Sequence, residues 1–220
     1  MMPAVYVFDA YGTLFDTNAA VQRHQAAMGL DGPAFSALWR RKQLEYSWIR
    51  GLAGRHDRDF WQLTEDALDF SFQFYPKIDP ALREALLDAY RDLDAYPDAV
   101  PALRALKEAG AKLVILSNGS AAMLERAASS SGIAEFFDAI ISVDEAKTYK
   151  PSPAVYELVT TLFRVYPEAV SFQSSNRWDV AGAKSFGFRT VWINRFNEPD
   201  EYWDLSPDLV LPDLISLRAD

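Results

Sequence analysis

The stretch Val5–Asp16, VYVFDAYGTLFD, decides the fold. It opens on an apolar run, Val5-Tyr6-Val7-Phe8, that breaks at Asp9. So short a run, bounded by polar residues and glycine, reads as a strand buried in a sheet, with Asp9 at its carboxyl end. Similar runs recur at Lys112–Leu116, Ala139–Ile141, Val170–Phe172 and Thr190–Ile193. Helical stretches alternate with them, at about 98–109, 120–131, 153–164 and 179–186. Strands alternating with helices predict an α/β fold, a parallel sheet with helices on both faces. Several strands end in polar residues: Asp9, then Ser117-Asn118, then Ser174-Ser175-Asn176. Ligands of open α/β sheets bind at the carboxyl ends of the strands, so these clusters should converge in one crevice.

Residues 16–95 break the alternation and read as helices only. Asp31 or Pro33 opens one carrying Phe35, Leu38, Trp39, Tyr46 and Ile49. A second carries Phe60, Leu63, Leu68 and Phe72, and Pro80 starts a third with Leu82, Leu86, Leu87 and Tyr90. The expected organisation is a core domain of residues 1–15 and 96–220, with a helical cap domain of residues 16–95 inserted after the first strand and covering the crevice.

Composition narrows the chemistry. The 220 residues hold no cysteine, which excludes disulfides, thiolate metal sites and a cysteine nucleophile. A net charge of -9 argues against nucleic acid, although local cations can still hold a small anion. No apolar run reaches the ~20 residues of a membrane helix. The start, Met1 to Val5, lacks the features of a signal peptide, so a cytoplasmic protein is expected. His24 and His56 stand in polar helical contexts, where surface roles are expected. There is no G-x-S-x-G, so a serine hydrolase has no support.

Asp9 by itself is a nucleophile, a metal ligand or the cap of a turn. Its neighbours extend the pattern. Asp9-Ala10-Tyr11-Gly12-Thr13-Leu14-Phe15-Asp16 resembles the first motif of the haloacid dehalogenase superfamily. Ser117-Asn118-Gly119, Lys150-Pro151 and Ser174-Ser175-Asn176-Arg177-Trp178-Asp179 resemble its other three, in order. Arg40 to Trp48, RRKQLEYSW, resembles the cap segment of the L-2-haloacid dehalogenase branch. The resemblance covers nearly the whole chain and implies a Rossmann-like parallel sheet core with a helical cap.

Two substitutions separate this branch from the superfamily's phosphoryl-transfer enzymes. Those carry a second aspartate two residues after the nucleophile, where this chain has Tyr11, and a further metal-binding aspartate near Ser175. Mg²⁺ needs hard oxygen ligands, and Lys150 would sit beside the two carboxylates that remain, Asp9 and Asp179. A departing halide needs no proton, whereas a departing alcohol does. The resemblance therefore implies a metal-independent dehalogenase without a cofactor. It acts on a small 2-haloacid and releases halide, and a homodimer is implied. The alternatives are a phosphatase of the same fold and a binding protein that has lost catalysis.

The resemblance also assigns roles. Asp9 attacks C2 of the haloacid, forming an ester that water then hydrolyses, and it must stay ionised in a dry pocket beside Lys150. Arg40 and Asn118 take the halide. Arg41 lies about 100° further round the helix, so one of the two arginines faces the crevice. Thr13 and Ser174 orient Asp9 or Lys150, and Ser117 binds the substrate carboxylate. Asn176 and Asp179 place and activate the water. Tyr11, Leu44, Phe60 and Trp178 match the apolar wall, with core packing alone an equal reading for Phe60. Tyr156 either hydrogen-bonds the site or is a core aromatic. Gln173 and Arg177 depart from the branch's commoner pattern, and Arg177 is expected to alter the electrostatics of the entrance or the choice of substrate.

Overall fold

In a computed structural model that describes residue 3 and residues 5–219, all five expected strands form, and a sixth joins them. They are β1 (Val5–Phe8), β2 (Lys112–Ser117), β3 (Ala139–Ser142), β4 (Val170–Ser174), β5 (Arg189–Ile193) and β6 (Leu209–Leu211). Residues 1, 2, 4 and 220, at the outer ends of the expected core, lie outside the described residues.

Every pairing is parallel, in the order β3-β2-β1-β4-β5-β6. β1 is central, with Val5 opposite Lys112 on one side and Val170 on the other. The chain runs outward through β2 and β3, then returns to β4 on the far side of β1. That reversal opens a crevice at the carboxyl ends of β1 and β4, where such sheets bind ligands.

The two faces of β1 follow from the strand's period of two. Tyr6 and Phe8 enter one apolar cluster with Leu103, Leu113 and Ile115. Val5 and Val7 enter another with Val114, Val155 and Phe172. Full burial on both faces explains why β1 is a continuous apolar run.

Between β1 and the return to the sheet the described elements are helical: α1 (Ala19–Gln22), α2 (Gln25–Met28), α3 (Gly32–Leu52), α4 (Phe60–Phe74) and α5 (Arg83–Arg91). Pro33 sits in the first turn of α3, where its missing N–H costs nothing. The start of α4 is fixed by a reciprocal cap. Asp59 accepts from the Gln62 backbone N–H at 2.8 Å, and Gln62 Oε1 accepts from the Asp59 N–H at 3.0 Å. Such a cap contributes about 1 kcal/mol, and it sets Phe60 as the first helical residue. Trp39 Nε1 donates to the Thr64 carbonyl at 2.9 Å and ties α3 to α4. The sheet is then covered by α6 (Ala99–Glu108), α7 (Ala121–Ser130), α8 (Pro153–Phe163) and α9 (Arg177–Phe186). No helix among the described residues is long and apolar enough to cross a membrane.

Candidate active site

The chain folds back on itself immediately after β1. Leu14 and Phe15 both donate backbone N–H to the Ala10 carbonyl, at 2.8 and 3.0 Å. Gly12 has φ +92°, a conformation that excludes an ordinary side chain. This hairpin brings Thr13 back over Asp9.

Asp9 is 6% exposed, and its two oxygens are treated differently. Oδ2 accepts from Thr13 Oγ1 at 3.1 Å, Ser174 Oγ at 3.2 Å and Asn176 Nδ2 at 2.7 Å. Among the described residues Oδ1 accepts only from Lys150 Nζ, at 3.1 Å. Thr13 and Ser174 thus both serve Asp9 rather than Lys150.

Lys150 is 1% exposed, and a buried ammonium needs compensation. It has two carboxylates, Asp9 and Asp179, the latter at 2.7 Å. The Phe172 ring centroid lies 5.0 Å from Nζ. Backbone N–H of Lys150 donates to Asn118 Oδ1 at 2.9 Å, which locks the segment to the end of β2. Asp179 is fully buried, and its other oxygen accepts from Tyr156 OH at 2.7 Å. Burial pushes the Asp179 carboxyl up to about 6; Lys150 opposes the rise and Asp9 adds to it. Burial also holds the Tyr156 hydroxyl well above its ordinary range, so it remains a donor. Gly182 makes room for that hydroxyl: a Cβ there would lie 2.5 Å from it.

Metal ligation does not fit this donor set. Among the described residues no group of three or more His, Cys, Asp or Glu is placed to hold an ion. Lys150 lies between the two carboxylates, and Ser174-Ser175-Asn176 adds none.

Asp9, Tyr11, Arg40, Leu44, Phe60, Ser117, Asn118, Lys150 and Trp178 line one small cavity of about 10 Å³. The sheet side and the helical insertion therefore close on the same space. Arg40 faces it, whereas Arg41 is exposed. Arg40 Nη1 donates to Gln43 Oε1 at 2.6 Å and Nη2 to the Tyr11 carbonyl at 3.2 Å. Among the described residues, the buried N–H donors Asn118 Nδ2 and Trp178 Nε1 have no hydrogen-bond partner. Ser117 Oγ accepts from the Gly119 N–H at 3.2 Å. Tyr156 stands behind Asp179 and is absent from the lining, so its contact with the site runs through that carboxylate.

Three further positions are placed by the fold, and one of them, His56, differs from expectation. The Arg177 side chain is 4% exposed, pairs with Asp200 at 2.6 Å and donates to the Glu201 and Leu205 carbonyls. It pins the segment before β6 and lines a cleft that shares Arg40, Leu44 and Trp178 with the Asp9 cavity. Gln173 is wholly buried within β4, where its carbonyl accepts from the Asp9 N–H at 2.9 Å. His56 lies in the link between α3 and α4 rather than on a helix. Its ring centroid is 4.9 Å from that of Tyr149 and its Nε2 is 3.6 Å from Asp144, because folding brings this polar link against the segment carrying Lys150. Gln43, Thr64 and Tyr90, which back Arg40, were not singled out as site residues. The available signal was Gln43 itself, a polar residue four places after Trp39 on the buried stripe of α3.

Residues 3–187 match the family model of the haloacid dehalogenase-like hydrolases, and the chain belongs to that family. Its relatives there include several (S)-2-haloacid dehalogenases. The chain is 52% identical over 197 residues to (S)-2-haloacid dehalogenase 1 of Pseudomonas sp. (strain CBS-3), covering 89% of this chain and 86% of that protein. It is 47% identical over 197 residues to (S)-2-haloacid dehalogenase 4A of Burkholderia cepacia, covering 89% and 85%. A solved structure of the L-2-haloacid dehalogenase from Xanthobacter autotrophicus, with chloropropionic acid covalently bound, superposes with a TM-score of 0.86. Its sequence is 36% identical, and the match covers 97% of this chain and 96% of that one.

Proposed function

We propose that the protein hydrolyses short L-2-haloalkanoic acids to D-2-hydroxyalkanoic acids and halide, through an ester on Asp9 and without a metal. The observation that carries this reading is the unequal holding of the Asp9 oxygens. Oδ1, with one donor, keeps lone pairs for attack. Its pair bonds to C2 on the face opposite the halogen, and the carbon–halogen electrons leave with the halide. Arg40, Asn118 and Trp178 offer N–H donors to that anion. Ser117 and the first-turn backbone N–H groups take the substrate carboxylate, and Tyr11, Leu44 and Phe60 wall the pocket.

Water then adds to the Asp9 carboxyl carbon. Negative charge develops on Oδ2, where Thr13, Ser174 and Asn176 already point their donors. Donors placed in advance on developing charge contribute strongly to catalysis. Asp179, oriented by Lys150 and Tyr156, takes the proton from the water; the Cγ–Oδ1 bond then breaks, Oδ1 leaves on C2 as the alkoxide of the 2-hydroxy acid, and the proton held by Asp179 passes to it. C2 is inverted in the first step and untouched in the second, so L substrate gives D product. Independence from metal is supported by Lys150, whose ammonium lies between both carboxylates.

The same reading divides the chain into a core (1–15 and 96–220) and a cap (16–95). A cavity of about 10 Å³ holds roughly one water molecule and adjoins a wider cleft that shares Arg40, Leu44 and Trp178 with it. It also includes a cytoplasmic homodimer, for which exposed Leu30 and Phe74 on the insertion offer apolar surface. Sedimentation would test the dimer.

The experiment for the activity is halide release from L- and D-2-chloropropionate with chelator present, with chiral analysis of the lactate. L-selective chloride release with D-lactate is expected. Silence on both, together with Mg²⁺-dependent hydrolysis of p-nitrophenyl phosphate, would replace this reading with a phosphatase.

A further inference from the structure

We propose that Gln43 is a positioning residue for halide departure: a neutral amide that aims Arg40 while leaving its positive charge uncompensated. This rests on the reading of Arg40 as the halide-binding cation.

Gln43 is 1% exposed and lies three residues after Arg40 on α3, so both side chains share a face. Its Oε1 accepts from Arg40 Nη1 at 2.6 Å. The orientation of the amide is dictated from behind. Thr64 Oγ1 donates its single proton to the Phe60 carbonyl at 2.7 Å, so it can only accept from Gln43. Gln43 Nε2 accordingly faces Thr64, at 2.6 Å, and Oε1 must turn to Arg40. Tyr90 secures the same amide, with its hydroxyl 3.1 Å from Nε2. The Tyr90 ring also stacks on Tyr11, at 5.6 Å between centroids and 13° between planes. Tyr11 supplies the second acceptor for Arg40, its carbonyl, at 3.2 Å. Both anchors of the guanidinium therefore belong to one packed unit.

The chemistry of the anchors matters as much as their placement. Among the described residues no carboxylate pairs with Arg40. A glutamate at position 43 would make a stronger, charge-assisted bond, but it would neutralise the cation just where a halide needs it. It would also set a carboxylate oxygen against the Thr64 lone pairs. Gln43 orients Arg40 without either effect. Loss of this arrangement should therefore be felt most by the poorer leaving group.

The test is transient kinetics on Gln43→Glu and Gln43→Met, separating ester formation from ester hydrolysis, with L-2-chloro- and L-2-bromopropionate. In Gln43→Glu, ester formation from the chloro acid should fall by about a hundredfold, the scale of a lost transition-state donor. The bromo acid should lose less, so the bromo/chloro rate ratio widens, while ester hydrolysis stays within about threefold. Gln43→Met should fall between Gln43→Glu and the parent. A folded Gln43→Glu protein with the parent's rates and leaving-group ratio would overturn the proposal. Failure of both variants to fold would make Gln43 a structural residue, with the same consequence. Arg40→Ala run in parallel separates the two ideas. If it leaves ester formation unchanged, the halide reading of Arg40 fails; if it slows that step while Gln43→Glu does not, the positioning inference alone fails.

Discussion

The two sides of the pocket hold their cations in opposite ways. On the strand side Lys150 is shared between Asp9 and Asp179, and its charge is more than balanced. On the helical side Arg40 has neutral partners among the described residues: the Gln43 amide oxygen, the Tyr11 carbonyl and the Tyr90 hydroxyl. Burial requires the first arrangement, since a buried ammonium without partners would be very costly. The second tolerates an unbalanced charge because Arg40 is only half-buried and lines the cavity. The strand side therefore defines the nucleophile, and the helical side keeps a cation available for an anion that appears only as the carbon–halogen bond breaks.

The strongest way to break this comparison is to remove the nucleophile. Asp9→Asn, verified by mass spectrometry against deamidation, should lose about 10⁴-fold or more in turnover while the fold persists. Multiple turnover at the parent rate would refute covalent catalysis by Asp9. Lys150→Met comes next and should also cost stability, because Asp9 and Asp179 would be left buried together. Breaking a buried ion pair costs about 3–5 kcal/mol. The loss should be greatest where both carboxylates are ionised and should shrink as pH falls and one takes a proton. Thermal unfolding across pH tests this, and a loss of stability independent of pH would count against the shared-charge description.

Arg40→Ala sharpens the other half. Ester formation should slow by about 10²–10³-fold, with much less effect on ester hydrolysis. Equal slowing of both steps would place Arg40 on the strand side of the division.

How much of this was written in the sequence depends on how local the cause is. The five longer strands were legible because burial on both faces forces unbroken apolar runs that end in polar residues. β6 was not: it has three residues, two of them exposed, and its pairing with β5 comes from tertiary context. Three helices of the insertion, α3, α4 and α5, were legible from periodicity, within a few residues at their ends; the short α1 and α2 were not. Asp9, Lys150 and Asp179 could be named because each belongs to a short ordered motif, but their hydrogen bonds could not. Nothing local says that Thr13 and Ser174 choose Asp9 over Lys150, or that Tyr156 reaches Asp179 rather than substrate. His56 and Arg177 show the same limit. Polar surroundings suggest the surface for His56 and motif position suggests the entrance for Arg177, and only the fold brings Tyr149 and Asp200 to meet them.

The smallest expected effect tests how the strand side tunes its base. Tyr156 OH donates to the charged form of Asp179, and such a bond lowers the affinity of a carboxylate for its proton. Burial works the other way and dominates, leaving Asp179 with a pKa of about 6. As a base Asp179 must be ionised, so ester hydrolysis should decline as pH falls through about 6. Tyr156→Phe removes the opposing hydrogen bond and leaves the burial. The carboxyl should then hold its proton more tightly, and the acid limb of the rate profile should move to higher pH. At high pH, where Asp179 is ionised in both proteins, the rates should approach each other. A limb that moves to lower pH, or a uniform loss of rate at every pH, would mean that Tyr156 supports the site by packing rather than through the charge on Asp179.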